Sequence, residues 1–316
     1  MPSACWYDAH VMKHRMSLAT PYALLVFTGA LASCGGSSGS TSSTGASLGC
    51  ANGTLDMGVT HVDLDFDGTG RSYELHVPPS YDGATPTPLV LNFHGLTQTG
   101  DAQRSQSHMD NKADQEGYLV GYPNGIRNAW NSGGDETDDV DDVAFTRAVI
   151  DDLAARGCID LTRVYATGMS NGGGMSHRLA CEAADVIAAV APSSGQLSLD
   201  PASCDPERPI PVLHFHGKND TIASYEGVPE MIQAWADRNG CTDEPRVTYQ
   251  AGDVTCETSD QCDGDASVTL CTAEEAGHCW FGYPCPPEIP IDLGGSTMGI
   301  NANDAMWALF SSVKLP

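Results

Sequence analysis

The chain has 316 residues, with 15 Lys and Arg against 41 Asp and Glu, a formal net charge of −26 and a hydrophobic fraction of 41%. So acidic a surface repels phosphate backbones and anionic headgroups, which excludes nucleic acid as a partner. A charged fraction of 18%, with 34 Gly and 19 Pro, excludes global disorder and coiled coil and describes a turn-rich globular protein with room for one catalytic-size domain.

Lys13, His14 and Arg15 precede a mostly apolar stretch from Leu18 to Leu31 that is too short to span a bilayer comfortably. That combination marks residues 1–33 as a signal peptide. Residues before Met12 do not fit such a leader, so the true start is expected at Met12 or Met16. Leu31-Ala32-Ser33-Cys34-Gly35 has the form of a bacterial lipobox, with Cys34 carrying the lipid; an ordinary secretory signal is the alternative. Residues 34–49, almost wholly Gly, Ser, Thr and Ala after the Cys, read as a tether, leaving 50–316 as the catalytic domain. The expected address is exported, either as an outer-membrane or cell-surface lipoprotein or as a secreted protein, with membrane contact only through that lipid.

Ten Cys follow Cys34, six of them between Cys241 and Cys285. An even number in an exported chain argues for disulfides, whose connectivity the spacing leaves open. A zinc site is the competing reading, but no pair shows CxxC spacing, so no metal is expected.

Thr60 to Phe66 and Ser72 to Val77 alternate apolar and polar residues around Asp67-Gly68, which predicts a hairpin. Asp63, Asp65, Asp67, Gly68 and Glu74 also fit a calcium loop position by position, yet the flanking alternation is that of strands, whereas an EF-hand needs helices. Further strand-like runs are Leu89 to Phe93, Arg163 to Thr167, Ile187 to Pro192, Val212 to Phe215 and Val268 to Cys271. Asp141 to Ala155 is the clearest helix, with Val143, Ala144, Ala148, Ile150, Leu153 and Ala154 as its buried stripe and Asp151, Asp152 and Arg156 toward water. The acidic run of Asp135, Glu136, Asp138, Asp139, Asp141 and Asp142 reads as a solvated loop leading into that helix, whose N-terminal dipole favours carboxylates. Strands alternating with helices after an opening hairpin predict an α/β fold: a mostly parallel sheet opened by an antiparallel hairpin, with helices on both faces.

Gly168-Met169-Ser170-Asn171-Gly172 matches the GxSxG nucleophile elbow. The bare pattern is weak, since Gly35, Ser37 and Gly39 satisfy it inside the tether. Context separates Ser170: a strand-like run precedes it and a helical segment, Met175 to Ala180, follows, so the Ser sits on a sharp strand-to-helix turn. A Ser hydroxyl needs a base to take its proton and a carboxylate to hold that base. Asp220 follows the run ending His214-Phe215-His216-Gly217, and His278 lies in Gly277-His278-Cys279-Trp280. The order Ser170, Asp220, His278 is that of α/β-hydrolases. Asp243 and Asp253 remain rival acids, and His214 and His216 are poorer bases because they precede Asp220 on one strand. Developing negative charge requires two backbone N–H donors: that of Asn171, and that of Leu96 in His94-Gly95-Leu96 after an earlier strand. Gly95 allows close approach there, and His94 shapes the turn. The reaction needs no cofactor.

His94-Gly95, Asp141-Asp142-Val143-Ala144-Phe145, Gly168 to Gly173, His216-Gly217 with Asp220, and Gly277-His278-Cys279-Trp280 together resemble the secreted feruloyl esterase and poly(3-hydroxybutyrate) depolymerase family of α/β-hydrolases, from about Thr54 to Trp280. The resemblance implies a serine hydrolase of carboxylic esters in which Ser170 attacks, His278 relays the proton and Asp220 orients it. The family usually continues as His-x-Trp-Pro-Gly where this chain has Phe281 after Trp280, and the Cys-rich stretch from Cys256 to Cys285 is unusual; both departures bear on substrate more than on chemistry. Trp130, Tyr225 and Trp280 are candidate pocket walls for an aromatic acyl group or a sugar. Without a visible second module to grip an insoluble polymer, feruloyl or acetyl esters on plant polysaccharide are expected ahead of polyester granules. A noncatalytic surface binding protein on the same scaffold is the alternative of another class.

Overall fold

Asp67 and Gly68 both take positive φ (51° and 75°), the pattern of a type I′ two-residue turn that suits the right-handed twist of the strands it joins. β1 (Gly58–Phe66) and β2 (Thr69–Val77) therefore pair antiparallel from Phe66↔Thr69 to Gly58↔Val77, as the alternation predicted. In this computed structural model the described residues are 45–133, 139–287, 289 and 291–316. The leader, Cys34, and Asp135, Glu136 and Asp138 of the acidic run lie outside them. Contacts with the sheet are already made before Cys50: Leu161 N–H donates to the Gly45 carbonyl at 2.8 Å, and the buried Ser47 hydroxyl donates to the Gly157 carbonyl at 2.7 Å.

The remaining strands are β3 (Thr87–Phe93), β4 (Leu119–Asn124), β5 (Ile159–Met169), β6 (Ala189–Ser193), β7 (Val212–Gly217), β8 (Arg246–Ala251), β9 (Val254–Ser259) and β10 (Val268–Ala273). Among the described residues they form one ten-stranded sheet in the order β1-β2-β4-β3-β5-β6-β7-β10-β9-β8. From β4 to β10 the pairings are parallel, and antiparallel ribbons flank them, β1–β2 on one edge and β9–β8 on the other. The alternating burial of β1 at the edge and the wholly buried β3 and β6 are what an edge hairpin feeding a covered parallel sheet requires. Three strands escaped the sequence reading. β4 carries Gly121 and Pro123, which break a strand pattern; β8 is exposed along nearly its whole length, so no apolar period marks it; β9 is mostly polar, with two Thr, a Glu and a Ser among its six residues.

The helices are α1 (Gly49–Asn52), α2 (Gly100–Ser107), α3 (Met109–Glu116), α4 (Asp142–Arg156), α5 (Asn171–Glu182), α6 (Val228–Arg238) and α7 (Ala302–Phe310). Alternate residues of the parallel strands feed two cores. Leu89, Leu91, Val164, Val190 and Val212 meet Leu153 of α4, Leu179 of α5 and Trp235 of α6. Val90, Tyr165, Ala189 and Phe215 meet Met109 of α3 and Phe310 of α7 on the other face. Helices on both faces of a mostly parallel sheet are thus present as predicted. On α4 the buried stripe is rotated from the expected one: Asp142, Phe145, Thr146 and Val149 join Val143, Ile150 and Leu153, while Ala144, Ala148 and Ala154 are only half-buried. Burying Phe145 and Val149 removes far more apolar area from water than burying alanines would.

All ten Cys after Cys34 are paired, as Cys50–Cys158, Cys181–Cys204, Cys241–Cys262, Cys256–Cys271 and Cys279–Cys285. The Cys-rich stretch is therefore the far edge ribbon and its surroundings, with Cys256–Cys271 bridging opposed residues of β9 and β10.

Candidate active site

Ser170 leaves β5 at φ 59°, ψ −121° and caps α5, a backbone conformation that costs a non-glycine residue on the order of 1–3 kcal/mol and persists only where surroundings enforce it. Here the Ser170 N–H donates to the Ser193 carbonyl at 2.9 Å, and the Gly174 N–H to the Ser170 carbonyl at 3.0 Å. Two glycines let neighbouring backbone close in. A Cβ on Gly172 would stand 2.1 Å from the Phe93 carbonyl oxygen, and one on Gly168 would stand 2.6 Å from the same atom. Close approach, at the expense of helix propensity, explains the glycine run.

Asp220 lies in the loop after β7, its side chain fully buried. One carboxylate oxygen, Oδ2, accepts a hydrogen bond from His278 Nδ1 at 2.7 Å. The other, Oδ1, accepts the N–H groups of Ile222 (2.9 Å) and Ala223 (2.7 Å). Burial works to raise the Asp220 pKa, but the His278 bond and those two N–H groups outweigh it and hold the carboxyl below its ordinary range. His278 is fixed in turn by its own N–H to the Leu293 carbonyl (2.5 Å), by Gly277 N–H to the Gly295 carbonyl (2.9 Å) and by the adjacent Cys279–Cys285 bridge. With Nδ1 donating to Asp220, Nε2 is left as an acceptor. Ser170 and His278 line one cavity of about 420 Å³, and no hydrogen bond joins their side chains in this structure. In enzymes without substrate such bonds are often loose and tighten on binding.

Leu96 lines the same cavity, and among the described residues neither its N–H nor that of Asn171 has a protein acceptor. A Cβ on Gly95 would be 3.4 Å from Ser170 Cβ, so this loop runs directly beside the elbow. His94 holds the loop: Nδ1 bonds to the Gly95 carbonyl at 2.8 Å while Nε2 accepts the Gly125 N–H at 3.0 Å. Burial pushes its pKa down to about 4, so it is neutral and shapes the turn. Asn171 grips the same region from α5, its Oδ1 accepting Trp130 N–H at 2.7 Å and its Nδ2 donating to the Trp130 carbonyl at 3.0 Å.

The three aromatic pocket candidates are elsewhere. Trp130 is buried against Phe93 (centroids 5.1 Å) and donates its indole N–H to the His94 carbonyl at 2.9 Å. Trp280 is buried and donates to Asn303 Oδ1 at 2.9 Å. Tyr225 hydrogen-bonds Thr272 at 2.9 Å and does not reach the cavity. Each indole N–H has a partner inside the protein, which is what lets a Trp be buried. The apolar part of the wall is instead aliphatic, Ile222, Ile289, Ile291 and Leu293 with Leu96 and Met169, and Thr97, Gln98 and Gln106 supply a polar side. None of the first four is marked by a period in the sequence: Ile222 sits two residues past Asp220, and Ile289, Ile291 and Leu293 lie in a Pro-rich segment, where their position after Cys285 in a chain whose base precedes it was the available signal.

The rival residues are engaged elsewhere as well. Asp243 accepts the N–H groups of Asp260 and Gln261, both at 3.1 Å, and Asp253 accepts the Thr297 hydroxyl. His214 and His216 are fully buried and line no part of the cavity. Of the acidic run, Asp139 pairs with Arg127 at the surface and Asp141 caps α4, but Asp142 is buried, contrary to the solvated reading.

A family profile described as Esterase PHB depolymerase matches residues 71–231. Feruloyl esterase B of Piromyces equi is 35% identical over 230 residues, covering 66% of this chain and 42% of that protein, so this chain spans less than half of that relative's length. Feruloyl esterase C of Emericella nidulans is 30% identical over 267 residues, covering 81% of this chain and 87% of that one. Among solved structures, acetyl xylan esterase from Aspergillus awamori superposes with a TM-score of 0.59 over 80% of this chain and 99% of its own, at 16% identity. At that identity the likeness speaks for the α/β fold.

Proposed function

We infer, from the premise that the chain belongs to the Esterase PHB depolymerase family, that it is a serine esterase working through Ser170, His278 and Asp220. The observation that carries this reading is the 2.7 Å bond to a buried, ionised Asp220 from Nδ1 of His278, the ring that shares a cavity with Ser170. Asp220 keeps the proton on Nδ1, so Nε2 accepts the Ser170 proton as Oγ attacks the ester carbonyl. The Leu96 and Asn171 N–H groups stabilise the oxyanion. His278 then protonates the leaving alcohol, giving an acyl-enzyme, and activates a water that releases the acid.

The names of the relatives and the aliphatic cavity support feruloyl or acetyl esters on plant polysaccharide as substrates. The −26 charge disfavours acidic pectin-like material and favours neutral xylan-linked esters. A hydroxyalkanoate polyester is the second reading, supported by the aliphatic side chains of Leu96, Ile222, Ile289, Ile291 and Leu293 in the cavity wall. Five disulfides support an oxidising compartment, and anchoring through Cys34 rests on the sequence alone. A fluorophosphonate probe tests the chemistry: wild type labels and Ser170→Ala does not, whereas an unlabelled wild type favours the noncatalytic binding protein. Turnover of methyl ferulate, acetylated xylan and hydroxybutyrate oligomers ranks the substrates, and a palmitate-analogue label on Cys34 tests the anchor.

A further inference from the structure

Three fully buried imidazoles take no part in the acyl-transfer scheme: His177 on α5, and His214 and His216 on β7. Strand alternation turns His214 and His216 to the same face of the sheet, toward α5 and α6, while Leu213 and Phe215 enter the opposite core. The rings stack, with centroids 5.2 Å apart for His177 and His214 and 5.3 Å apart for His214 and His216.

Their hydrogen bonds run in one direction. Trp235 Nε1 lies 3.1 Å from His177 Nδ1, His177 Nε2 3.2 Å from His214 Nδ1, and His214 Nε2 3.1 Å from His216 Nδ1. At the far end, His216 Nε2 is 2.8 Å from the Ala223 carbonyl oxygen and 3.6 Å from Asp220 Oδ2. An indole N–H can only donate and a carbonyl can only accept. Both ends therefore force the same tautomer on every ring, proton on Nε2 and lone pair on Nδ1. Protonating any ring would set two donors against each other, and burial independently drives all three pKa values below the ordinary histidine value. The column ends on Ala223, whose own N–H is one of the two that hold Asp220 Oδ1.

We propose that His177, His214 and His216 are positioning residues, a one-way column of neutral imidazoles from Trp235 that pins Ala223 and so aims the Asp220 carboxylate at His278. This rests on the triad reading above, in which the Asp220–His278 bond must be held to within a fraction of an ångström. A carboxylate displaced by ~1 Å costs roughly 100-fold in turnover.

The decisive comparison is His216→Phe with His216→Gln, assayed on 4-nitrophenyl acetate alongside thermal melting. Gln keeps an N–H donor near the Nε2 position, whereas Phe keeps the packing and removes the donor. Expected is a loss in kcat of about 100-fold for Phe with KM nearly unchanged, and recovery to within about tenfold of wild type for Gln, even though Phe melts no lower than Gln. Phe equal to or faster than Gln would overturn the proposal, because a purely structural role ranks the two variants by stability. Should His216→Phe fail to fold, long-range ¹⁵N–¹H spectra of the intact wild-type protein at pH 7 decide: three neutral Nε2–H rings support the column, and a cationic or Nδ1–H ring among them overturns it. Failure of the triad reading itself shows earlier and separately, as a wild type that neither hydrolyses the ester nor takes the fluorophosphonate label, and it takes the proposal down with it.

Discussion

Arg71 on β2 and Asp142 in the first turn of α4 form a buried ion pair, Nη2 to Oδ1 2.8 Å, with side chains 2% and 0% exposed. The guanidinium also lies 3.6 Å from the Phe145 ring centroid, and Asp142 Oδ2 accepts the Asn131 N–H at 2.8 Å. One contact thus ties the edge hairpin to α4 and to the segment that carries Trp130 behind the His94–Leu96 loop. Burial leaves the Asp142 carboxyl above its usual range, though the Asn131 and Arg71 bonds oppose it.

Removing one partner strands the other charge, so Asp142→Ala is expected to lose about 3–5 kcal/mol of stability. The double variant Arg71→Met, Asp142→Leu should be much closer to wild type, because a buried ion pair replaced by apolar side chains of similar volume is often near neutral. Urea midpoints read both, and a double variant as weak as the single would show that the pair itself supplies the stability.

Asp220→Asn should lower kcat by about 10⁴-fold while leaving KM nearly unchanged, since an amide no longer imposes the Nδ1–H tautomer on His278. Steady-state kinetics on an activated ester check this. Near-normal turnover would transfer the orienting role to another carboxylate.

Acid should destabilise the fold early. His94, His177, His214 and His216 all have folded pKa values depressed by burial, to about 4 for His94 and about 3 for His177. A depressed histidine is neutral when folded and protonated when unfolded, so its contribution is complete above the unfolded value near 6.5 and is lost as pH falls toward the folded one. Each such proton removes up to about 1.4 kcal/mol per pH unit. Asp220 adds to the loss only below the ordinary Asp value of 3.8, and exposed His61, raised by its bond to Glu74, works weakly in the opposite sense. Urea unfolding at pH 7, 6 and 5 should show a steep fall; a flat profile would mean that these rings titrate normally.

The disulfides should divide between stability and catalysis. Cys50–Cys158 closes a separation of 108 residues and Cys279–Cys285 one of 6. In the chain-entropy account the first is worth about 4.8 kcal/mol and the second about 2.2 kcal/mol. Replacing both Cys50 and Cys158 by Ser should therefore lower the melting temperature more and spare kcat. Replacing Cys279 and Cys285 should lower kcat more, since that bridge adjoins His278. Equal effects on both readouts would contradict the division.

Much of the site was legible because its signals are local. A nucleophile elbow needs a strand, a Ser between glycines and a helix within about a dozen residues, and the Asp220 segment directly follows the apolar run of β7. The glycines of that pattern belong to the same local geometry, since the Phe93 carbonyl stands where a Cβ on Gly172 would be. The hairpin was equally local, because two-residue turn chemistry and period-2 alternation lie in adjacent residues.

Other features were set by residues far apart in the chain. Whether Trp130 and Trp280 face substrate or core depended on the His94 carbonyl and Asn303 coming within reach of their N–H groups. Whether Asp142 was solvated depended on Arg71, 71 positions earlier. The order β7-β10-β9-β8, the pairing of ten cysteines, the aliphatic walls from Ile289 to Leu293 and the histidine column all join segments that no short window of sequence holds together. By itself the sequence determined the local geometry that makes Ser170 an elbow, since that follows from backbone sterics and turn chemistry. Only the tertiary structure decided what surrounds it, because burial and hydrogen-bond partners are properties of the closed sheet and the two cores packed upon it.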